Sequence, residues 1–227
     1  MKRSEINRLI GEALQFFDEM HFRLPPWGTW TLQQWQKCQS GCEEIFRNQL
    51  GWDLTDFGSG DFDASGLLLF TLRNGNPSHD IKPYAEKVMI VEEGQVTPLH
   101  FHWSKIEDII NRGGGNLMMQ LYPSDKDGGL AGHEFRVSLD GMERVLNPGD
   151  WVRLRPGESI TLPRGLYHQF EGEEDTGKVL VGEVSAVNDD HVDNRFYEPL
   201  GRFPDIEEDE PPLHLLVSDY TNLLSHE

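Results

Sequence analysis

Gly94-Gln95-Val96-Thr97-Pro98-Leu99-His100-Phe101-His102-Trp103-Ser104-Lys105-Ile106-Glu107 is the stretch that constrains this chain most. Residues two apart on a strand point to the same side, so His100 and His102 share a face. Glu107, on the returning strand, brings a carboxylate to the same place, and two imidazoles with a carboxylate form a chelate for a divalent metal. Farther along, Gly157-Glu158-Ser159-Ile160-Thr161-Leu162-Pro163-Arg164-Gly165-Leu166-Tyr167-His168 adds a third histidine just after a Pro-x-Gly turn. One histidine alone is more often a surface or satisfied core residue than a ligand. The weight lies in the combination.

Around these stretches the chain reads as short strands separated by Gly, Pro and Asp. The spacing predicts strands at Leu67–Leu72, Lys87–Glu92, Thr97–Phe101, Ile106–Ile110, Leu117–Tyr122, His133–Leu139, Trp151–Arg153, Ser159–Leu162, His168–Phe170 and Val179–Ser185. Turns such as Glu93-Gly94, Asp140-Gly141 and Asn147-Pro148-Gly149-Asp150 punctuate them. Many short strands at regular spacing argue for an antiparallel sandwich or barrel. The first 50 residues read differently. Ile6, Leu9, Ile10, Ala13, Leu14 and Phe17 recur at helical spacing, with Ser4 as the expected N-cap. Pro25 and Pro26 end that pattern. Thr31 with Gln34 predicts a capping box opening a second helix, with Trp35, Cys38, Cys42, Ile45 and Phe46 as its buried stripe and Gly51 as its stop. Cys38 and Cys42 are expected to be reduced, because neighbours on successive turns of a helix pair only with strain.

Composition narrows the partners. The chain has 227 residues, with 20 Lys and Arg against 39 Asp and Glu, a net charge of −19. Phosphate backbones repel such a surface, so nucleic acid is not an expected ligand. Glu171 to Glu210 alone holds 14 acids and 3 bases, which reads as a solvated face. No run of strictly apolar side chains is longer than the four residues of Leu67 to Phe70, far short of a membrane span of about 20 residues. The start passes directly into an amphipathic pattern without an apolar leader core, so the expected address is cytoplasmic.

The two histidine-bearing stretches together resemble the motifs of the cupins, the double-stranded β-helix family. Gly94, His100, His102, Glu107 and Gly114 match the first cupin motif, and Gly157, Pro163, Gly165 and His168 match the second. Gly172 stands where the second motif has an Asn, which is not a metal ligand. The resemblance implies a mainly β jelly-roll barrel and a metal held by His100, His102, Glu107 and His168. An N-terminal helical extension (1–60) and a barrel domain with an acidic C-terminal segment (61–227) are expected to form one structural unit. Three neutral imidazoles and one carboxylate leave a divalent ion with net positive charge and, in an octahedral shell, two open positions. Mn²⁺, Fe²⁺, Zn²⁺, Co²⁺ and Ni²⁺ all tolerate this ligand set.

A proton-transfer group beside the metal is a feature that a simple oxygenase does not require. Glu183 shares a strand face with Val179 and Val181, where a partly desolvated carboxylate suits proton transfer; a strand-end glutamate reaching solvent is the alternative. Lys87 shares a face with Met89 and Val91, where it could polarise a hydroxyl, pair with Glu183, or lie on an edge strand. His191, Asp193, Arg195 and Arg202 read as a solvated loop. Nearly the whole chain is also similar to the bacterial D-lyxose isomerases, through Thr97 to Ile109 and the segment 188–196. That resemblance implies interconversion of D-lyxose with D-xylulose, and of D-mannose with D-fructose, through a cis-enediol. It also implies Mn²⁺, a homodimer, and Lys87, Glu183 and Asp193 at the sugar, with Glu183 and Lys87 catalytic. An Fe²⁺ dioxygenase and a non-catalytic sugar-binding cupin are the competing readings.

Overall fold

Helical periodicity at the N-terminus resolves into α1 (Arg3–Glu19), which buries Ile6, Ile10, Ala13, Phe16 and Phe17. Lys2, not Ser4, precedes its first turn and offers no side-chain cap. Ser4 lies inside the helix and gives its N–H and hydroxyl to the Asp209 carboxylate at 2.9 and 2.7 Å. The free N–H groups of a helix start need an acceptor, and here a residue from the far end of the chain supplies it. A 3-10 turn (Pro26–Thr29) leads to α2 (Leu32–Lys37), whose capping box between Thr31 and Gln34 forms as expected. The expected single stripe then breaks. Cys38 has φ −84° and ψ 72°, outside the helical region, and α3 (Glu43–Arg47) starts afresh after Gly41 at φ +91°. Off one common helix the two cysteines are free to approach, with Cα atoms 6.6 Å apart, and they form a disulfide. The expectation of reduced thiols rested on an unbroken helix and is corrected.

The strands follow: β1 (Gly51–Thr55), β2 (Leu67–Arg73), β3 (Tyr84–Val91), β4 (Thr97–His102), β5 (Glu107–Gly114), β6 (Leu117–Pro123), β7 (Phe135–Leu139), β8 (Met142–Leu146), β9 (Trp151–Leu154), β10 (Ser159–Leu162), β11 (Leu166–Gly172), β12 (Val179–Ala186) and β13 (Asn194–Phe196). A short α4 (Tyr220–Leu224) ends the described chain. In the computed structural model the described residues are 1–227 except 39, 77, 80, 188–192, 202 and 225–227, with the side chains of 222 and 224 also excluded. His191 and Arg202 therefore lie outside the described residues. All ten expected strands are present. β1, β8 and β13 are additional, and β1 begins at Gly51, where a helix stop is expected.

The strands form two antiparallel sheets, in the orders β1-β2-β3-β12-β5-β10-β7-β8 and β13-β4-β11-β6-β9. The two sheets face each other as the jelly-roll barrel of the cupins. Alternation along each strand decides which side chains enter it. On β1, Trp52 and Leu54 turn outward to α1 while Asp53 and Thr55 turn inward; on β3, Val88 and Ile90 turn outward while Lys87, Met89 and Val91 turn inward. The apolar run Leu67–Phe70 is explained by this double covering: Leu68 and Phe70 pack on the α1 side and Leu67 and Leu69 on the barrel side. Among the described residues no helix is long and apolar enough to cross a membrane.

Candidate active site

His100 and His102 project into the barrel from β4, and His168 joins them from the neighbouring β11, where it pairs directly with His100. Between the two histidines of β4, Phe101 points the other way, against Tyr167 at 4.7 Å. The three imidazoles are buried and offer nitrogen atoms that all lie within 4.8 Å of one another, an arrangement that could hold a metal ion. Backbone acceptors set two of them. His100 Nδ1 lies 2.7 Å from the Pro98 carbonyl and His168 Nδ1 3.0 Å from the Leu166 carbonyl. Donating Nδ1–H there leaves each Nε2 with its lone pair free to bind an ion.

Glu107 reaches the same point from β5, on the opposite sheet. Its Oε1 lies 3.1 Å from His102 Nε2 and 3.2 Å from His168 Nε2. It is buried and has no well-aligned hydrogen bond to either. A buried oxygen facing imidazole nitrogens without a donor is what a cation would satisfy, so these four side chains fit a divalent metal. Charge states agree. Burial pushes His100 well below the usual imidazole range, and the His168 and His102 rings push the same way. Burial also lowers His102, against the pull of Glu107. Burial works to raise the Glu107 carboxyl, but the Lys105 ammonium and then His102 overcome it and hold it well below the usual carboxylate range. Neutral imidazoles and an ionised carboxylate are the forms that bind metals.

Glu183 and Lys87 stand directly opposite each other on β12 and β3, both facing the cavity. Lys87 Nζ lies 3.7 Å from Glu183 Oε1. Two more donors converge on that oxygen: Lys105 Nζ and Ser185 Oγ, each at 2.9 Å. Lys105 also reaches Glu107 Oε2 at 2.7 Å, so one buried ammonium joins the expected metal ligand to the expected base. The sequence reading passed over Lys105. It stands in the turn between β4 and β5, where strand alternation assigns no face. Asp193 does not line the cavity, and its carboxylate faces the turn after β4. Arg195 is exposed.

A cavity opens between the sheets, with Lys87, Lys105, Glu107, Glu183 and the three histidines on its lining. Phe57, Leu69, Met89, Phe170 and Phe196 supply apolar wall, with Asp53 and Thr55 from β1 at its rim strand. Thr97 Oγ1 and Asn194 Oδ1 also line it, buried without hydrogen-bond partners. Neither was foreseen, since nothing local marks a threonine or asparagine as a ligand group.

A cavity lined by a histidine cluster that could hold a metal suits many reactions, and relatives narrow the choice. The profile of the "D-lyxose isomerase" family matches residues 1–220. The chain belongs to the D-lyxose isomerase family. It is 50% identical to a D-lyxose/D-mannose isomerase of Escherichia coli O157:H7 over 223 residues, 97% of this chain and 98% of that one. It is 49% identical to the D-lyxose/D-mannose isomerase of Serratia proteamaculans over 228 residues, 99% of this chain and all of that one. The fold of this family member also resembles L-ribose isomerase of Acinetobacter sp. DL28, with a TM-score of 0.60 at 18% identity, covering 91% of this chain and 98% of that one. L-ribose isomerase of Cellulomonas parahominis gives a TM-score of 0.57 at 18% identity, covering 86% and 92%. At that identity the likeness speaks for the fold.

Proposed function

We propose that the protein interconverts D-lyxose with D-xylulose, and D-mannose with D-fructose, by moving one proton between C1 and C2 and another between O1 and O2 of the open-chain sugar through a cis-enediol. The observation that carries this reading is Glu183, a buried carboxylate flanked by two ammonium groups and linked through Lys105 to the cluster of His100, His102, His168 and Glu107. Full-length likeness to two D-lyxose/D-mannose isomerases supports the choice of sugars. The four clustered residues would hold a divalent metal, with Mn²⁺ proposed. When bound, the ion supplies Lewis-acid stabilisation of negative charge developing on the sugar.

The remaining work falls to side chains. The described contacts of Glu183 gather on Oε1, so Oε2 is the oxygen that takes the proton from one carbon and returns it to the other. Lys105 and Ser185 hold that carboxylate in one orientation, which a proton shuttle needs. Lys87, facing the same cavity, steadies negative charge on the sugar oxygens as the enediol forms. Thr97 and Asn194 offer buried polar atoms to sugar hydroxyls, while the apolar walls exclude water from the reacting carbons. A homodimer and a cytoplasmic address belong to the same reading. Sedimentation equilibrium tests the first.

The experiment is incubation of metal-stripped protein with D-lyxose in deuterated water, with and without Mn²⁺, following xylulose and label at C1 and C2 by NMR. Metal-dependent xylulose establishes the isomerase, and deuterium in the product shows that a proton moves. No product from lyxose or mannose overturns the assignment.

A further inference from the structure

Asp193 gathers three consecutive backbone N–H groups. Its Oδ1 accepts from Ser104 N at 2.7 Å, its Oδ2 from Lys105 N at 3.1 Å, and its carbonyl from Trp103 N at 3.1 Å. These belong to the turn joining β4 to β5. From the other side, Gly165 N donates to the His102 carbonyl at 3.0 Å, and Arg164 Nε donates to the Ser104 carbonyl. Both side chains that frame the turn work inside the barrel: His102 in the ligand cluster, and Lys105 between Glu107 and Glu183.

The histidines add a second, independent observation. His100 and His168 each have a carbonyl against Nδ1, whereas the Nδ1 of His102 is buried without a hydrogen bond. The acidic oxygen facing it is Asp193 Oδ2, 3.9 Å away. A modest movement of the ring toward that carboxylate completes the missing bond. It would set the same tautomer as in the other two rings, with Nε2 left to bind an ion.

We infer that Asp193 is a positioning residue: it clamps the Trp103–Lys105 turn and the His102 ring, so that His102 Nε2 and Lys105 Nζ meet Glu107, and it makes no contact with the sugar. This rests on the metal-dependent reading of the site given above. Pulling three N–H groups onto one residue fixes the backbone on which a ligand and a buried cation both depend, so loosening it disturbs the two together.

Asp193→Asn tests the idea, since the amide keeps the shape but cannot accept at both positions. Three measurements compare it with the unsubstituted protein: Mn²⁺ binding to the metal-free forms by calorimetry, hydrogen exchange at the Ser104 and Lys105 amides, and KM and kcat for D-lyxose at saturating Mn²⁺. The expected result is Mn²⁺ affinity weakened about 10–100-fold, faster exchange at both amides, a lower kcat and a KM within about twofold. Unchanged affinity and exchange with a large rise in KM would make Asp193 a sugar contact and overturn the inference. No change in any of the three would overturn it as well. An unsubstituted protein that binds Mn²⁺ but isomerises nothing defeats the sugar assignment alone, because affinity and exchange still decide the role of Asp193. One that binds no Mn²⁺ defeats both. If the variant fails to fold, hydrogen exchange of the unsubstituted protein with and without Mn²⁺ decides: slower exchange at the Ser104 and Lys105 amides on binding supports the inference, and unchanged exchange overturns it.

Discussion

Lys87, Lys105, Glu107 and Glu183 are all at most 4% exposed, and such residues are almost never buried that deeply unless paired. They are paired with one another. Buried ion pairs are weak contributors to stability, since desolvation offsets their attraction, so the arrangement is better explained by chemistry than by folding. Lys105 is the hinge of the group, because the same Nζ serves Glu107 and Glu183. Glu183 contacts both ammonium groups and lines the cavity. Glu183→Gln keeps its size and its position on β12, but removes the base. Turnover of D-lyxose is expected to fall about 10²–10⁴-fold, the range of a lost general base, with Mn²⁺ affinity nearly unchanged. Steady-state rates set beside calorimetric Mn²⁺ binding check this, and a variant with near-normal turnover removes Glu183 from the mechanism.

At the scale of elements, the acidic segment that reads as solvated surface has a structural task in part. Arg3, 1% exposed in α1, is held by Glu208 and Asp219 at 2.7 and 2.8 Å. Asp209 caps the same helix through Ser4, and Asn7 donates to Glu210 at 2.6 Å. The tail thus straps onto α1 by charge and hydrogen bonds. The hydrogen bond from Arg3 lowers the Glu208 carboxyl from its ordinary value, although burial opposes it, and the Ser4 hydroxyl and N–H lower Asp209. A depressed carboxylate contributes its stability above its unfolded pKa and loses it as pH falls through the folded value. The strap is therefore expected to hold at pH 6 and to loosen progressively below about pH 4.5, seen as faster hydrogen exchange in peptides covering 205–211 after correction for intrinsic rates. Glu208 is 57% exposed, so its share is screened to under about 1 kcal/mol. Arg3→Met is expected to show the loosened state already at pH 6.

For the whole molecule, one sheet serves two cores. The inward faces of β1, β2, β3 and β12 line the barrel, while their outward faces pack on α1, where Phe17 stacks on Trp52 with ring centroids 5.9 Å apart. The helix is thus a second wall behind the strands that carry Lys87 and Glu183. Phe17→Ala is expected to lower stability by about 3–5 kcal/mol, the range for a large-to-small aromatic change in a core, as read by urea denaturation. Much of this plan was legible beforehand. The period of two placed His100 and His102 on one face, and set Lys87 and Glu183 among inward apolar neighbours. The ten expected strands follow from the same alternation and its turns. Local spacing reached less far where tertiary contact intervenes. Cys38 leaves the helical path, so the two cysteines meet in a bond that helical spacing argues against. Lys105 finds Glu183 across 78 residues, and Asp193 finds Ser104 across 89. The sequence by itself determined the strand pattern, the inward faces and the choice of His100, His102, Glu107 and His168 as the candidate metal ligands, because each depends on spacing along a few residues. Only the tertiary structure decided which lysine bridges the two glutamates, what Asp193 holds and where the acidic tail docks. Those pairings depend on how the two sheets register and close, a property of the folded chain as a whole.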